Sequence, residues 1–386
     1  MLTVFSEVVE LTRDLVRIPS ENPTGTEKEI AEFVFHWLKG TGAEVVMEEV
    51  APGRNNVIAK LQGTEANGNL VYIAHMDTVP AGEGWSRDPF SGDIVDGKLY
   101  GRGSSDMKGG LAAGMVAFKR IAAMGVKPKK TFVLIASVDE EGPGMMGAVD
   151  AINRGWVTRE SYVVAIEPSG LTIMPAHKGP MWFEVVTQGK MSHAGNPQFG
   201  VDAIHAMTEI LVELKRAVGE LPYDDELLGK PTVTLSKISG GVKTNIVPDK
   251  CVAEMDLRLI VPMTVEMAKS LVEQAIGVGT SKVPGSSASY QVLTIDRPPV
   301  RASLDSPLII KLDKAINKVT GKNAEYKGLP AYTDASIIAA RTGSQHCITF
   351  GPGNLAQAHS VDEYIPVEHL DGAVDILTEA AKELIY

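Results

Sequence analysis

Cysteine is scarce: Cys251 and Cys347 are the only two in 386 residues. Two thiols cannot build a disulfide framework or a thiolate-based zinc site. They fit an intracellular protein whose thiols stay reduced, and the cytoplasm is the expected location. Long apolar runs are also missing. The longest, such as 131–138 (TFVLIASV), are far too short to cross a bilayer. Nor is there an excess of basic charge, since 37 Lys and Arg against 48 Asp and Glu leave a formal net charge of −11. That balance excludes nucleic acid and anionic membrane as main partners, but a local Arg or His can still receive an acidic substrate. The opening residues, MLTVFSEVVELTRDL, carry acids inside their apolar pattern. They read as an amphipathic helix rather than a signal peptide. No internal repeat or low-complexity segment is visible, and the length suggests two or three domains.

What is present first alternates helix and strand. Helical apolar spacing covers 5–17. Thr26 with Glu29 three residues later forms a capping-box pattern that opens a helix through Leu38. Strand-like runs follow at 44–49, 57–61 and 70–74. Then come a helix at 109–124, a strand at 131–138, a helix at 145–153 and a strand at 162–166. Continuous apolar strands between helices predict an α/β fold, a largely parallel sheet with helices on both faces. After Pro175 the rhythm changes. Strand 181–187, helix 202–218, strands 232–238 and 251–259, helix 264–276 and strand 289–294 form a β-α-β-β-α-β series, the ferredoxin-like order. Helix 307–320, strand 347–350 and helix 367–384 resume the α/β style. The expected organisation is a discontinuous catalytic, metal-binding domain of residues 1–176 and 295–386, interrupted by a small α+β domain at 177–294.

The polar residues sit at strand ends, where open α/β sheets bind ligands. The run 70–74 leads into His75 and Asp77, whose spacing of two puts both on one side of an extended chain. The run 131–138 leads into Asp139, Glu140 and Glu141, and 162–166 leads into Glu167. A glycine-rich stretch, Gly101-Arg102-Gly103-Ser104-Ser105-Asp106, brings Asp106 to the start of a helix. Late in the chain, a Gly351-Pro352-Gly353 turn precedes His359. Taken singly, each is explained as a helix cap, a surface acid or a solvated loop residue. Gathered at one sheet edge, histidine nitrogen and carboxylate oxygen without thiolate suit zinc, cobalt or manganese. A carboxylate between two such cations can bridge them. Without cations, that many acids would repel one another and raise their pKa values.

These motifs are similar, in order, to those of the M20 family of metallopeptidases and amidohydrolases, in particular the acetylornithine deacetylase and succinyl-diaminopimelate desuccinylase branch, related to glutamate carboxypeptidase. The carrying stretches are HMDTVP (75–80), GRGSSDMKGG (101–110), DEEG (139–142), Glu167-Pro168, SHAG (192–195) and the segment from Gly351 to His359. The resemblance implies that Asp106 bridges two divalent metal ions. It implies that His75 and Glu167 complete one site, and Glu141 and His359 the other. Zinc is the expected ion, with cobalt or manganese as alternatives. Glu140 is then the general base, Asp77 orients the second ring nitrogen of His75, and a cis peptide follows Asp106. The 177–294 domain is similar to the family's lid and dimerisation domain. There His193 is implied to stabilise the oxyanion, reaching across in a homodimer. Arg258 and Asn245 are implied to bind a substrate carboxylate. Tyr332-Thr333-Asp334-Ala335 matches a loop near the substrate, without an assigned chemistry.

The implied activity is metal-dependent hydrolysis of the amide bond of an N-acyl amino acid or similar small carboxylate, with a metallo-exopeptidase acting on short peptides as the alternative. A non-catalytic metal- or peptide-binding protein would have lost Glu140 or a ligand, and none is lost. A nucleotide-dependent enzyme would use Gly101-Arg102-Gly103 or Gly109-Gly110 as a phosphate loop, but neither has the full fingerprint spacing. His36, His205 and His369 fall on helices, His346 precedes a strand, and His177 lies near the domain junction.

Overall fold

The computed structural model describes residues 5–23, 27–66 and 68–386. Two compact units emerge. The larger holds Met1–Ala176, Arg301–Leu329 and Thr333–Tyr386, and the smaller holds His177–Val300 with Pro330–Tyr332. The sequence places the return to the larger unit at 295. The structure delays it to Arg301, because the segment after the last strand of the smaller unit stays packed there. A Cβ at Gly179 would run into the backbone of Arg297 to Pro299. The capping-box residue Thr26 lies outside the described residues. The helix it was to open is Lys28–Lys39.

In the larger unit the main sheet runs Glu44–Ala51, Arg54–Leu61, Phe132–Ser137, Leu70–His75, Tyr162–Ala165, Cys347–Thr349, Ile173–His177. The four strands from Phe132–Ser137 to Cys347–Thr349 are mutually parallel, and the strands flanking them pair antiparallel. Every residue of Leu70–His75 and Phe132–Ser137 is buried, so no apolar–polar alternation exists in these strands. Leu70, Tyr72, Phe132 and Leu134 point into one core, shared with helices Glu7–Val16, Gly109–Ala122 and Val367–Ile385. Val71, Ile73, Val133 and Ile135 are equally buried on the other face, where helix Asp334–Thr342 packs against Leu70–His75. Helix Gly109–Ala122 is buried from Gly109 through Phe118. A Cβ at Gly110 would collide with the carbonyl of Ile166, so glycine is what lets this helix start against the strand end that leads to Glu167.

The smaller unit has a four-stranded antiparallel sheet in the order Thr232–Gly240, Lys250–Leu259, Gly179–Gln188, Ser287–Val292. Helices Ala203–Gly219 and Val265–Lys282 pack on one another and against that sheet. Alternate residues Cys251, Ala253, Met255, Leu257 and Leu259 are buried, the pattern of a sheet covered on one face. The chain leaves the larger unit after Ala176, and the amide of Ala302 donates to the carbonyl of Pro175 at 2.7 Å. Among the described residues no helix is long and apolar enough to cross a membrane.

Candidate dinuclear metal centre

The parallel strands deliver their side chains at one edge. His75 ends its strand opposite Ser137. Glu140 and Glu141 follow Phe132–Ser137, Glu167 follows Tyr162–Ala165, and the segment after Cys347–Thr349 leads to His359. Asp106 lies in a tight turn, Ser104–Lys108, entered through Gly103 at φ +82° and continued into helix Gly109–Ala122. The Asp106–Met107 bond is cis, as the family resemblance implies.

Two triplets of possible ligands share Asp106: His75, Asp106, Glu167 and Asp106, Glu141, His359. In each, the ligand atoms lie within 4.8 Å of one another. Asp106 turns one oxygen to each set. His75 Nε2 is 3.2 Å from Oδ1, and His359 Nε2 is 3.4 Å from Oδ2. His75 Nε2 also lies 3.7 Å from Glu167 Oε1 and 3.9 Å from Glu140 Oε2. His359 Nε2 lies 3.1 Å from Glu141 Oε1. The first set is nearly closed to solvent, whereas the His359 side chain is 55 % exposed.

The charges are crowded. Burial, reinforced by Glu167 and Glu141, pushes the Glu140 carboxyl well above its ordinary range despite nearby His75. Burial pushes Glu167 up to about 7 and also raises Glu141. Burial works against a charged His75, but Glu167 and Asp106 outweigh it and hold its pKa well above normal. Hydrogen bonds to Asp106 and Glu141 raise His359 to about 10. Asp106, between two histidines, is held well below the usual range in spite of its burial. Four carboxylates crowded around two histidines form a cluster with excess negative charge, which favours the protonated form of the three glutamates and of both histidines. Its nitrogen and oxygen donors, with one carboxylate facing two ways, fit a pair of divalent cations.

The ring nitrogen Nδ1 of His75 faces the backbone carbonyl of Asp77 at 2.8 Å, not its carboxylate, whose Oδ1 is 3.7 Å away. A carbonyl only accepts, so Nδ1 carries a proton and Nε2 faces the carboxylates. Asp77 therefore orients His75 through its main chain. Its carboxylate oxygens accept from the backbone N–H groups of Glu140 and Glu141, 3.2 Å each.

Sequence reasoning assigned no role to several buried groups. Glu363 is 1 % exposed and accepts from the N–H groups of Gly103, Ser105 and Asp106 at 2.9–3.0 Å and from Arg102 Nη1 at 2.6 Å. One carboxylate thus holds the turn that carries Asp106, four residues from His359. Removing it in Glu363→Ala leaves a buried guanidinium without its ion-pair partner, and about 3–5 kcal/mol of folding stability should be lost. Denaturant unfolding checks this, and a loss below 1 kcal/mol would refute it. Lys108 is fully buried, donates to the carbonyl of Ile18 at 2.7 Å, and is lowered to about 7 by burial. Asp334 begins helix Asp334–Thr342, accepts from Ser137 Oγ at 2.6 Å, and is raised to about 6 by burial.

His193, Asn245 and Arg258 belong to the smaller unit. His193 is exposed and pairs with Ile246 in a two-residue ladder, and Ala194 N–H donates to the carbonyl of Asn245 at 3.0 Å. His193 and Asn245 are thereby neighbours. The Arg258 guanidinium forks onto Asp256, with Nε and Nη2 contacts of 2.8 and 2.7 Å, and Nη1 donates to the Pro330 carbonyl at 3.2 Å. These contacts engage three of its five N–H donors.

Known proteins resemble this chain over nearly its full length. Acetylornithine deacetylase of Vibrio cholerae is 30% identical over 369 residues, covering 94% of this chain and 93% of the relative. Among solved structures, an aminopeptidase from Bacillus cereus aligns with TM-score 0.79 at 24% identity, covering 98% of each chain. An M20 family metallo-carboxypeptidase from Sulfolobus solfataricus aligns with TM-score 0.80 at 20% identity, covering 98% of this chain and 99% of its own. The sequence model of peptidase family M20/M25/M40 matches residues 71–383. The chain belongs to peptidase family M20/M25/M40 and is a hydrolase of amide bonds.

Proposed function

We propose that this hydrolase is a dinuclear metal-dependent deacylase, cleaving the amide bond of an N-acyl amino acid or similar small carboxylate. The observation that carries this reading is Asp106, whose two oxygens face His75 and His359 separately. His75, Asp106 and Glu167 would hold one divalent cation, and Asp106, Glu141 and His359 the other. Zinc suits the donors, with cobalt and manganese as alternatives. When bound, two such cations supply Lewis acidity for the scissile carbonyl and lower the pKa of water. Glu140, 3.9 Å from His75 Nε2, takes the proton of the attacking water and delivers it to the leaving amine. His193 donates a hydrogen bond to the developing oxyanion. Arg258 and Asn245 receive the substrate carboxylate. The smaller unit serves as lid and as dimer interface. Its edge strand Thr232–Gly240 is exposed along most of its length, with Ile238 59 % exposed, which suits pairing with a second copy. Two buried, unpaired thiols fit a cytoplasmic setting.

The test is hydrolysis of a panel of N-acetyl, N-succinyl and N-formyl amino acids and dipeptides by chelator-stripped protein refilled with zinc, cobalt or manganese. Deacylation restored by metal and absent in Glu140→Ala supports the proposal. Cleavage confined to dipeptides would replace it with an exopeptidase, and failure to bind any cation would overturn it.

Acidity gives a second check. In the folded, metal-free chain Glu167 and His359 keep protons to about 7 and about 10. The unfolded chain releases them near about 4.3 and 6.5. The folded state therefore binds more protons across that window, and this contribution to stability falls as pH rises through it. Cations that replace those protons should stabilise more at high pH. The zinc-induced rise in Tm is expected to be larger at pH 8 than at pH 5.5. An equal or reversed effect would contradict the ligand assignment.

A further inference from the structure

The loop that carries Glu140 and Glu141 is braced from behind by residues upstream of 71, where the family match begins. The Asp77 carboxylate accepts the N–H groups of both glutamates. Asn22 Nδ2 donates to Asp77 Oδ2 at 2.8 Å and to Asp139 Oδ1 at 3.0 Å, tying the two carboxylates together. Arg54 Nη1 donates to the same Asp139 oxygen at 3.0 Å, while its Nε and Nη2 grip Glu27. Asp77, Asp139 and Glu27 are all buried. Asp139 sits at φ +63°, uncommon for any residue but glycine. Its Oδ2 accepts from Met146 N–H at 3.3 Å, and a Cβ at Gly142 would collide with its carboxylate. The loop is wrapped around that one side chain.

We propose that Arg54 and Asn22 are positioning residues, which through Asp139 and Asp77 hold the backbone of Glu140 and Glu141 at the metal-binding edge. The proposal rests on the roles given above to those two glutamates. Without the guanidinium, buried carboxylates face one another unscreened, and a loop held in an unfavourable backbone conformation is the part most easily displaced. The planar fork of arginine meets Glu27 and Asp139 at once, which a lysine ammonium cannot reproduce.

The test uses the full-length, metal-loaded enzyme. Arg54→Met and Asn22→Leu are expected to lower kcat by about 10–100-fold and to weaken the cation held with Glu141 by a similar factor. KM should change little, because the interaction serves the transition state. Arg54→Lys, which keeps the charge but not the fork, should fall between. Cation affinity is read by competition with a chelator and needs no turnover. If the wild-type protein hydrolyses nothing in the panel while Arg54→Met still loses cation affinity, the activity reading fails and the positioning role stands. Folded Arg54→Met and Asn22→Leu with wild-type kcat and cation affinity would overturn it. So would a lower Tm with both quantities per folded site intact, since that marks the network as merely structural. If Arg54→Met does not fold, Asn22→Leu, which leaves the ion pairs in place, decides the matter.

Discussion

Glu140→Gln should lower kcat by about 10²–10⁴-fold, the range lost when a general acid–base group is removed. The substitution keeps the shape of the side chain but not its ability to exchange a proton. It removes a buried carboxylate whose ionised form is disfavoured by burial and by Glu167 and Glu141, so the fold should be no less stable and the metal content unchanged. Glu140 also forms a third possible ligand triplet, with His75 and Glu141, and this makes metal analysis the deciding control. Loss of turnover with two cations retained identifies a base. Loss of a cation would make Glu140 a ligand and leave the base to be found elsewhere. Wild-type turnover in the folded, loaded variant would remove it from the chemistry.

Asp106→Asn should have the other large effect, on metal content. Asp106 is the carboxylate common to both candidate sets, with Oδ1 toward His75 and Oδ2 toward His359. An amide carries no charge, and its nitrogen would turn hydrogens toward one of the two sites. The stoichiometry after gel filtration should drop from two cations to one or none, with a larger loss of affinity than the about 10–100-fold typical of outer hydrogen-bond partners. Glu167→Gln, by comparison, should affect only the set that contains His75. Asp106→Asn protein that keeps two tightly held cations would show that the two sets do not share it.

The strand ends were the most legible part of this chain. Runs such as 70–74 and 131–138 are apolar almost throughout because both faces of the sheet are covered. The polar residues that directly follow each run therefore mark the sheet edge, which is how His75, the Asp139-Glu140-Glu141 stretch and Glu167 stand out. The β-α-β-β-α-β order of the smaller unit was equally readable, since its strands alternate and its helices are long. Helix Asp334–Thr342 was not. It has only nine residues, and its run of small and apolar side chains has no clear helical period. Strand Ile173–His177 escaped because Pro175 interrupts any strand pattern. The roles of Glu363, Arg54 and Asn22 carry no sequence signal, since a charged or polar side chain is ordinarily solvated and burial is what distinguishes these three. Their partners lie far away in the chain: Arg54 meets Asp139 85 residues on, and Glu363 meets Asp106 257 residues back. The orientation of His75 by a main-chain carbonyl is likewise invisible to a motif, which specifies side chains only.

The hydrogen bond from Ala302 to Pro175 spans the point where the smaller unit leaves and rejoins the larger one. The sheet that carries the candidate metal centre is thus already closed across the insertion, and its register does not depend on how much chain departs there. Lengthening a flexible excursion from a closed junction costs only about 0.6 kcal/mol per doubling of its length. The junction is therefore one place where chain can be added without opening the edge that gathers His75, Asp106 and Glu167, while Pro330–Tyr332, held to Arg258 by its hydrogen bond to the Pro330 carbonyl, join the smaller unit to the chain a second time.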